Sequence, residues 1–174
     1  IVVINPNNPT GAVYSKKVLK QIVDVAASHN LPIISDEIYD QMNYLQHVSP
    51  CSLSDDVKFI QLNGISKVYL APGWRIGYMA MSNNFEDLFD ACIRQARIRL
   101  CASTPAQYAY MAALKGTTKH IEEMKEKLRE RRDYAHKRLN EISGLSAAKP
   151  EGTFYIFPRI ENKKYAKDDK KFVL

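Results

Sequence analysis

Three short apolar runs, each followed at once by polar or turn-forming residues, constrain the fold of this chain more than any other feature. Residues 1–4 (IVVI) lead into 5–11 (NPNNPTG), residues 32–35 (PIIS) into 36–39 (DEIY), and residues 59–62 (FIQL) into Asn63-Gly64. Runs of this length, bounded by turn signals, read as buried strands. Between the first two, Ser15 suits an N-cap, and Val18, Leu19, Ile22, Val23 and Ala26 repeat at helical spacing. Strand, helix, strand in this order predicts an α/β fold: a mainly parallel sheet flanked by helices on both faces. Ligands of such sheets bind beyond the carboxyl ends of the strands. That rule points to the 5–11 loop, to Asp36–Tyr39 and to Ser66-Lys67 as one region.

Further along, residues 77–81 predict another strand, and Asn84 suits the cap of a helix with Leu88, Phe89, Cys92 and Ala96 on one stripe. Thr104-Pro105 predicts an N-cap and first turn, and Gly116 the stop. Ile121, Met124, Leu128, Ala135, Leu139 and Ile142 then form one apolar stripe through a segment crowded with Lys, Arg and Glu, ahead of Gly144. Alternation assigns residues 152–158 to a strand, with Phe154, Tyr155 and Phe157 in the core of a second, smaller domain. The expected division is therefore 1–117, part of a large domain, and 118–174, a linking helix and part of a small C-terminal domain. Residues 1–4 have no preceding turn, cap or initiator methionine, so the chain is expected to begin in mid-domain.

Charge narrows the partners. The chain has 25 basic and 19 acidic residues, a net charge of +6, but the excess lies at 115–138 and 163–171. Those runs read as a solvated helix face and a charged surface loop, so nucleic acid is not an expected partner. Cys51, Cys92 and Cys101 suggest neither a disulfide framework nor a zinc site, which fits a reducing, cytoplasmic setting. No stretch approaches the roughly 18 apolar residues of a membrane span, and no signal pattern opens the chain.

The chemistry lies in Asp36, Tyr39, Lys67 and Arg75. Singly, each has a plain structural role: a cap, a solvated amine, a guanidinium stacked on Trp74. Together they supply what pyridoxal phosphate needs: a lysine for its Schiff base, an anion for its pyridinium, a donor for its phenolic oxygen and a cation for its phosphate. The segments 5–11, 36–39, Ser66-Lys67 and 73–77 (GWRIG) also resemble, in order and spacing, the signature segments of the class I/II aminotransferases of fold type I, and the likeness runs to about Ile160.

That resemblance implies roles residue by residue. Lys67 forms the Schiff base, Asp36 pairs with the pyridinium, Asn8 and Tyr39 bind the phenolic oxygen, and Ser66 and Arg75 bind the phosphate. Asn8 also faces the substrate. Gly64 departs from the family, which often has a serine there for the phosphate. Residues 99–107 and 152–158 look most like the alanine (glutamate–pyruvate) aminotransferase branch. This implies transamination between an amino acid and a 2-oxo acid, with alanine and 2-oxoglutarate as the expected pair, and a homodimer when full length. The family's phosphate-cradling loop and ring-stacking aromatic would precede Ile1, and its arginine for the substrate carboxylate would follow Leu174. The chain is thus expected to be a fragment, inactive alone. The same residues also suit a lyase of this fold or a non-catalytic, aminotransferase-like regulatory module.

Overall fold

The computed structural model describes residues 1–82 and 85–161; the expected cap at Asn84 and the charged run at 163–171 lie outside them. Strands β1 (Val2–Ile4), β2 (Ile33–Asp36) and β3 (Phe59–Gly64) lie side by side and parallel, and β4 (Gly77–Met81) adds antiparallel to β3. The first helix, α1 (Lys16–Ser28), starts where Ser15 Oγ accepts the Val18 N–H at 3.4 Å. Its stripe of Leu19, Val23 and Ala26 is fully buried against Val3, Ile33, Val57 and Phe59. Burying side chains of the Val, Leu, Ile or Phe kind contributes about 1.5–3 kcal/mol each, and this packing fixes one face of the sheet.

Register levels the strand ends. Ile4 lies opposite Asp36, and Asp36 opposite Leu62. Just past that line the Asn5 N–H donates to the Asp36 carbonyl at 3.1 Å and the Glu37 N–H to the Leu62 carbonyl at 2.9 Å. The loops that follow the three parallel strands therefore leave the sheet along one edge, as expected of this architecture.

Three more helices follow: α2 (Glu86–Ile98), α3 (Thr104–Lys115) and α4 (Lys119–Asn140). Thr104 is the first residue of α3 and Ser103 its cap, one position earlier than the sequence suggests, with Pro105 in the first turn. The sheet is less covered than expected, because α2 buries none of its residues and Val2 is 66% exposed. In α4, Ile121 is buried, and Met124 and Leu128 pack with it against Tyr39, Met42 and Val68. The predicted stripe thus anchors through its first half, while Ile142 lies beyond the helix and is half exposed.

The aromatic run at 152–158 is not a strand. Gly152 makes an isolated bridge with Asn43, and the regular pairing is between β5 (Leu145–Ala147) and β6 (Pro158–Ile160). Thr153 breaks the extended backbone with φ +62°, and Phe154 and Phe157 are exposed rather than in a core. Among the described residues no helix is long and apolar enough to cross a membrane.

Candidate functional site

Lys67 lies in the turn just past β3, closed by the Leu70 N–H donating to the Lys67 carbonyl at 3.1 Å. Its neighbour Val68 is buried against Tyr39, Met42 and Ile121, so α4 supports this turn. The Lys67 Nζ sits 5.7 Å from the centre of the Tyr39 ring and 5.8 Å from that of Phe154. The amine is therefore walled by two aromatic rings drawn from distant parts of the chain, within the range of cation–π attraction.

Tyr39 is the hub of the region. It is 2% exposed, its ring meets Phe154 and Tyr155 edge to face at 5.7 Å each, and its hydroxyl lies 2.6 Å from the Tyr155 hydroxyl. Burial pushes its phenol up, the bond and charge of Tyr155 and the charge of Asp36 add to this, and a hydrogen bond from the Asn8 side chain opposes it. The phenol thus keeps its proton well above neutral pH. Asp36 ends β2 half-buried, with Oδ1 accepting the Ile38 N–H at 3.2 Å. The structure so gathers Asn8, Asp36, Tyr39 and Lys67, and adds Phe154 and Tyr155, which the alternation rule assigns to a core. The sequence marked that pair only as part of the 152–158 segment that resembles the alanine aminotransferase branch.

The two residues expected at a phosphate are placed less decisively. Ser66 is half-buried beside Lys67. Arg75 is exposed in the left-handed region at φ +53°, and its guanidinium donates to the Pro72 carbonyl of its own loop at 2.7 Å. The departure at Gly64 has a steric cause. A Cβ there would stand 2.9 Å from the Ile76 carbonyl oxygen and 3.1 Å from Gly77 Cα, so β3 and β4 cross too closely for a side chain.

A buried polar cluster beside the site was not foreseen. Glu37 is 1% exposed; Ser35 Oγ and Ser49 Oγ donate to its Oε1 at 2.8 and 2.6 Å, and His47 Nε2 lies 2.8 Å from its Oε2. Burial pushes this carboxyl up, but the bonds from His47, Ser49, Ser35 and Gln61 outweigh it and hold the pKa below the usual value. Asp40, next to it, is pushed up by burial despite the Asn63 amide donating to its Oδ2 at 3.0 Å.

An amine, a carboxylate, a phenol, an amide and a hydroxyl on three loops of one sheet edge match the aldehyde, ring nitrogen, phenolic oxygen and phosphate of pyridoxal phosphate. The donor set therefore fits that group. Two larger open hollows, of about 440 and 650 Å³, lie elsewhere, around Cys51 and Phe59 and around Tyr78 and Tyr110. Chemistry rather than size marks the site.

A family model described as aminotransferase class I and II matches residues 1–173. The glutamate-pyruvate aminotransferase AlaA of Escherichia coli K12 is 42% identical over 182 residues, covering 100% of this chain and 45% of that protein. The alanine aminotransferase of Mycobacterium tuberculosis H37Rv is 42% identical over 97% of this chain and 41% of its own length. The solved alanine aminotransferase from Pyrococcus furiosus superposes with a TM-score of 0.95 at 54% identity, covering 99% of this chain and 45% of that one. The chain spans less than half the length of these relatives.

Proposed function

The chain belongs to the class I and II aminotransferases, and on that premise we propose that the whole protein exchanges an amino group between an amino acid and a 2-oxo acid, with alanine and 2-oxoglutarate as the pair. The observation that carries this reading is the Lys67 amine set between the Tyr39 and Phe154 rings, on the same strand edge as Asp36. The names of the relatives support the substrate pair, and the exchange acts on small molecules in a protein that is a homodimer when whole.

When bound, pyridoxal phosphate supplies the electron sink that makes the proton on a substrate α-carbon removable. Lys67 would hold it covalently through Nζ, Asn8 and Tyr39 would bind its phenolic oxygen, and Ser66 and Arg75 its phosphate. Asp36 would pair its carboxylate with the ring nitrogen, which is stabilisation placed where charge develops. Once the substrate amino group had displaced it, the freed Lys67 amine would act as general base, taking the proton from the substrate α-carbon, and then as general acid, delivering it to the cofactor carbon that the lysine had held. The Tyr39 and Phe154 rings flank the amine, and Asn8 would also face the substrate. Residues 1–117 are read as part of the cofactor-binding domain and 118–174 as the linking helix and part of the small domain.

The test is an assay of the whole protein with alanine and 2-oxoglutarate, following pyruvate. Wild type is expected to form pyruvate only when 2-oxoglutarate is present, and Lys67→Ala is expected to lose activity by a factor of about a thousand or more, the scale of losing a covalent anchor and a base together. Ammonia release without any 2-oxo acid acceptor, or full activity in Lys67→Ala, overturns the proposal.

A further inference from the structure

Tyr155 has no role in the account above, yet the fold goes to some length to place it. The preceding Thr153 is β-branched, 2% exposed and held at φ +62°, a conformation that persists only where the surroundings impose it. Those surroundings are specific. The Thr153 N–H donates to the Met42 carbonyl at 2.7 Å, the Tyr44 hydroxyl donates to the Thr153 carbonyl at 3.4 Å, and the Tyr155 N–H donates to Thr153 Oγ1 at 3.1 Å. The segment is also pressed onto the 5–11 loop. Both the Glu151 and Gly152 N–H groups donate to the Gly11 carbonyl at 2.9 Å, and a Cβ on Gly152 would meet Val13 at 2.9 Å and Pro6 at 3.0 Å. The strained turn delivers the Tyr155 hydroxyl to 2.6 Å from that of Tyr39.

A phenol has one proton and two acceptor positions. Either hydroxyl of the tyrosine pair can donate to the other, but an anionic oxygen bound beside Lys67 removes the ambiguity. A bond from Tyr39 to that anion is charge-assisted and roughly twice as strong as one to a neutral hydroxyl. Tyr39 then donates its hydrogen bond to the anion and accepts one from Tyr155, whose hydroxyl bonds to Tyr39 alone among the described residues. We propose that Tyr155 is a positioning residue, the outer donor of a chain that runs from Tyr155 through Tyr39 to an anionic phenolic oxygen held beside Lys67. Hydrogen bonds in such a chain polarise one another, so Tyr155 strengthens Tyr39 as a donor and fixes the direction of its proton.

The inference rests on the pyridoxal phosphate reading of the site, and its test separates the two. A hydrogen bond to the phenolic oxygen lessens that oxygen's hold on the proton of the adjoining lysine nitrogen, so weakening the bond raises the pH at which that proton leaves. In the whole protein loaded with cofactor, Tyr155→Phe is expected to shift the pH midpoint of the lysine-bound cofactor's absorbance upward by about half to one unit, and to weaken cofactor binding about threefold to tenfold. In a Tyr39→Phe background the same change is expected to shift the midpoint no further, because the chain is already cut. An unchanged midpoint in Tyr155→Phe, or an equal shift in both backgrounds, overturns the inference while the cofactor reading stands. A wild-type protein with no lysine-bound absorbance overturns both.

Discussion

The carboxyl of Glu37 is driven upward by burial and further downward by its hydrogen bonds to His47, Ser49, Ser35 and Gln61, leaving a pKa in the fold below the 4.5 of a free side chain. The sign of the pH effect follows. The unfolded chain takes up this proton first, so the stabilisation is complete above pH 4.5 and is lost as pH falls through the lower, folded value. The difference in unfolding free energy between wild type and Glu37→Gln is expected to shrink as pH is lowered past 4.5 in denaturant titrations, and a difference that stays constant would contradict the account. Residues of this kind divide by how local their signal is. The strand-end rule marked the 5–11 loop, Asp36–Tyr39 and Ser66-Lys67 because each lies past an apolar run, while the choice of Asp36, Tyr39 and Lys67 within them needed the cofactor's chemistry and that of Asn8 the family resemblance. His47 and Ser49 carry no such mark, since their partnership with Glu37 exists only once the segment after Tyr39 folds back over it. Tyr155 was hidden for a related reason. It lies 116 positions from the hydroxyl it meets, and its alternation with Phe157 imitates a strand.

Most elements could be read from periodicity, and the exceptions have physical causes. Ser15 and the apolar stripe of α1 gave that helix, and the β-branched runs gave the parallel strands. The strand expected at 152–158 failed because Thr153 takes a left-handed conformation that no alternation pattern reveals. Gly64 shows the opposite case, in which a departure from family resemblance is explained by packing. Facing Gly77 across the β3–β4 pair, it leaves 2.9 Å between a prospective Cβ and the Ile76 carbonyl oxygen. Gly64→Ser, which would bring back the hydroxyl common in the family, is therefore expected to destabilise the protein by about 1–3 kcal/mol as overpacking does, measured by denaturant unfolding. An unchanged midpoint together with tighter cofactor binding would show that the strands have room for the side chain.

At the scale of the molecule, segments far apart in sequence converge on one sheet edge. The loops after β1, β2 and β3 supply Asn8, Asp36, Tyr39 and Lys67, α4 supports the Lys67 turn through Ile121, and the 150–155 segment crosses back to add Phe154 and Tyr155. The first three were legible together because parallel topology levels strand ends. The return of 150–155 was not, because it depends on close backbone contacts at Gly11 and Gly152 rather than on a pattern. Since the chain spans 45% of the length of the Escherichia coli relative, the whole protein is the right object for the decisive measurement. Reducing it with borohydride in the presence of pyridoxal phosphate and mapping the modified peptide by mass spectrometry reads the covalent anchor directly. The cofactor mass is predicted on the peptide containing Lys67; its appearance on a different lysine, or on none, would contradict the central claim.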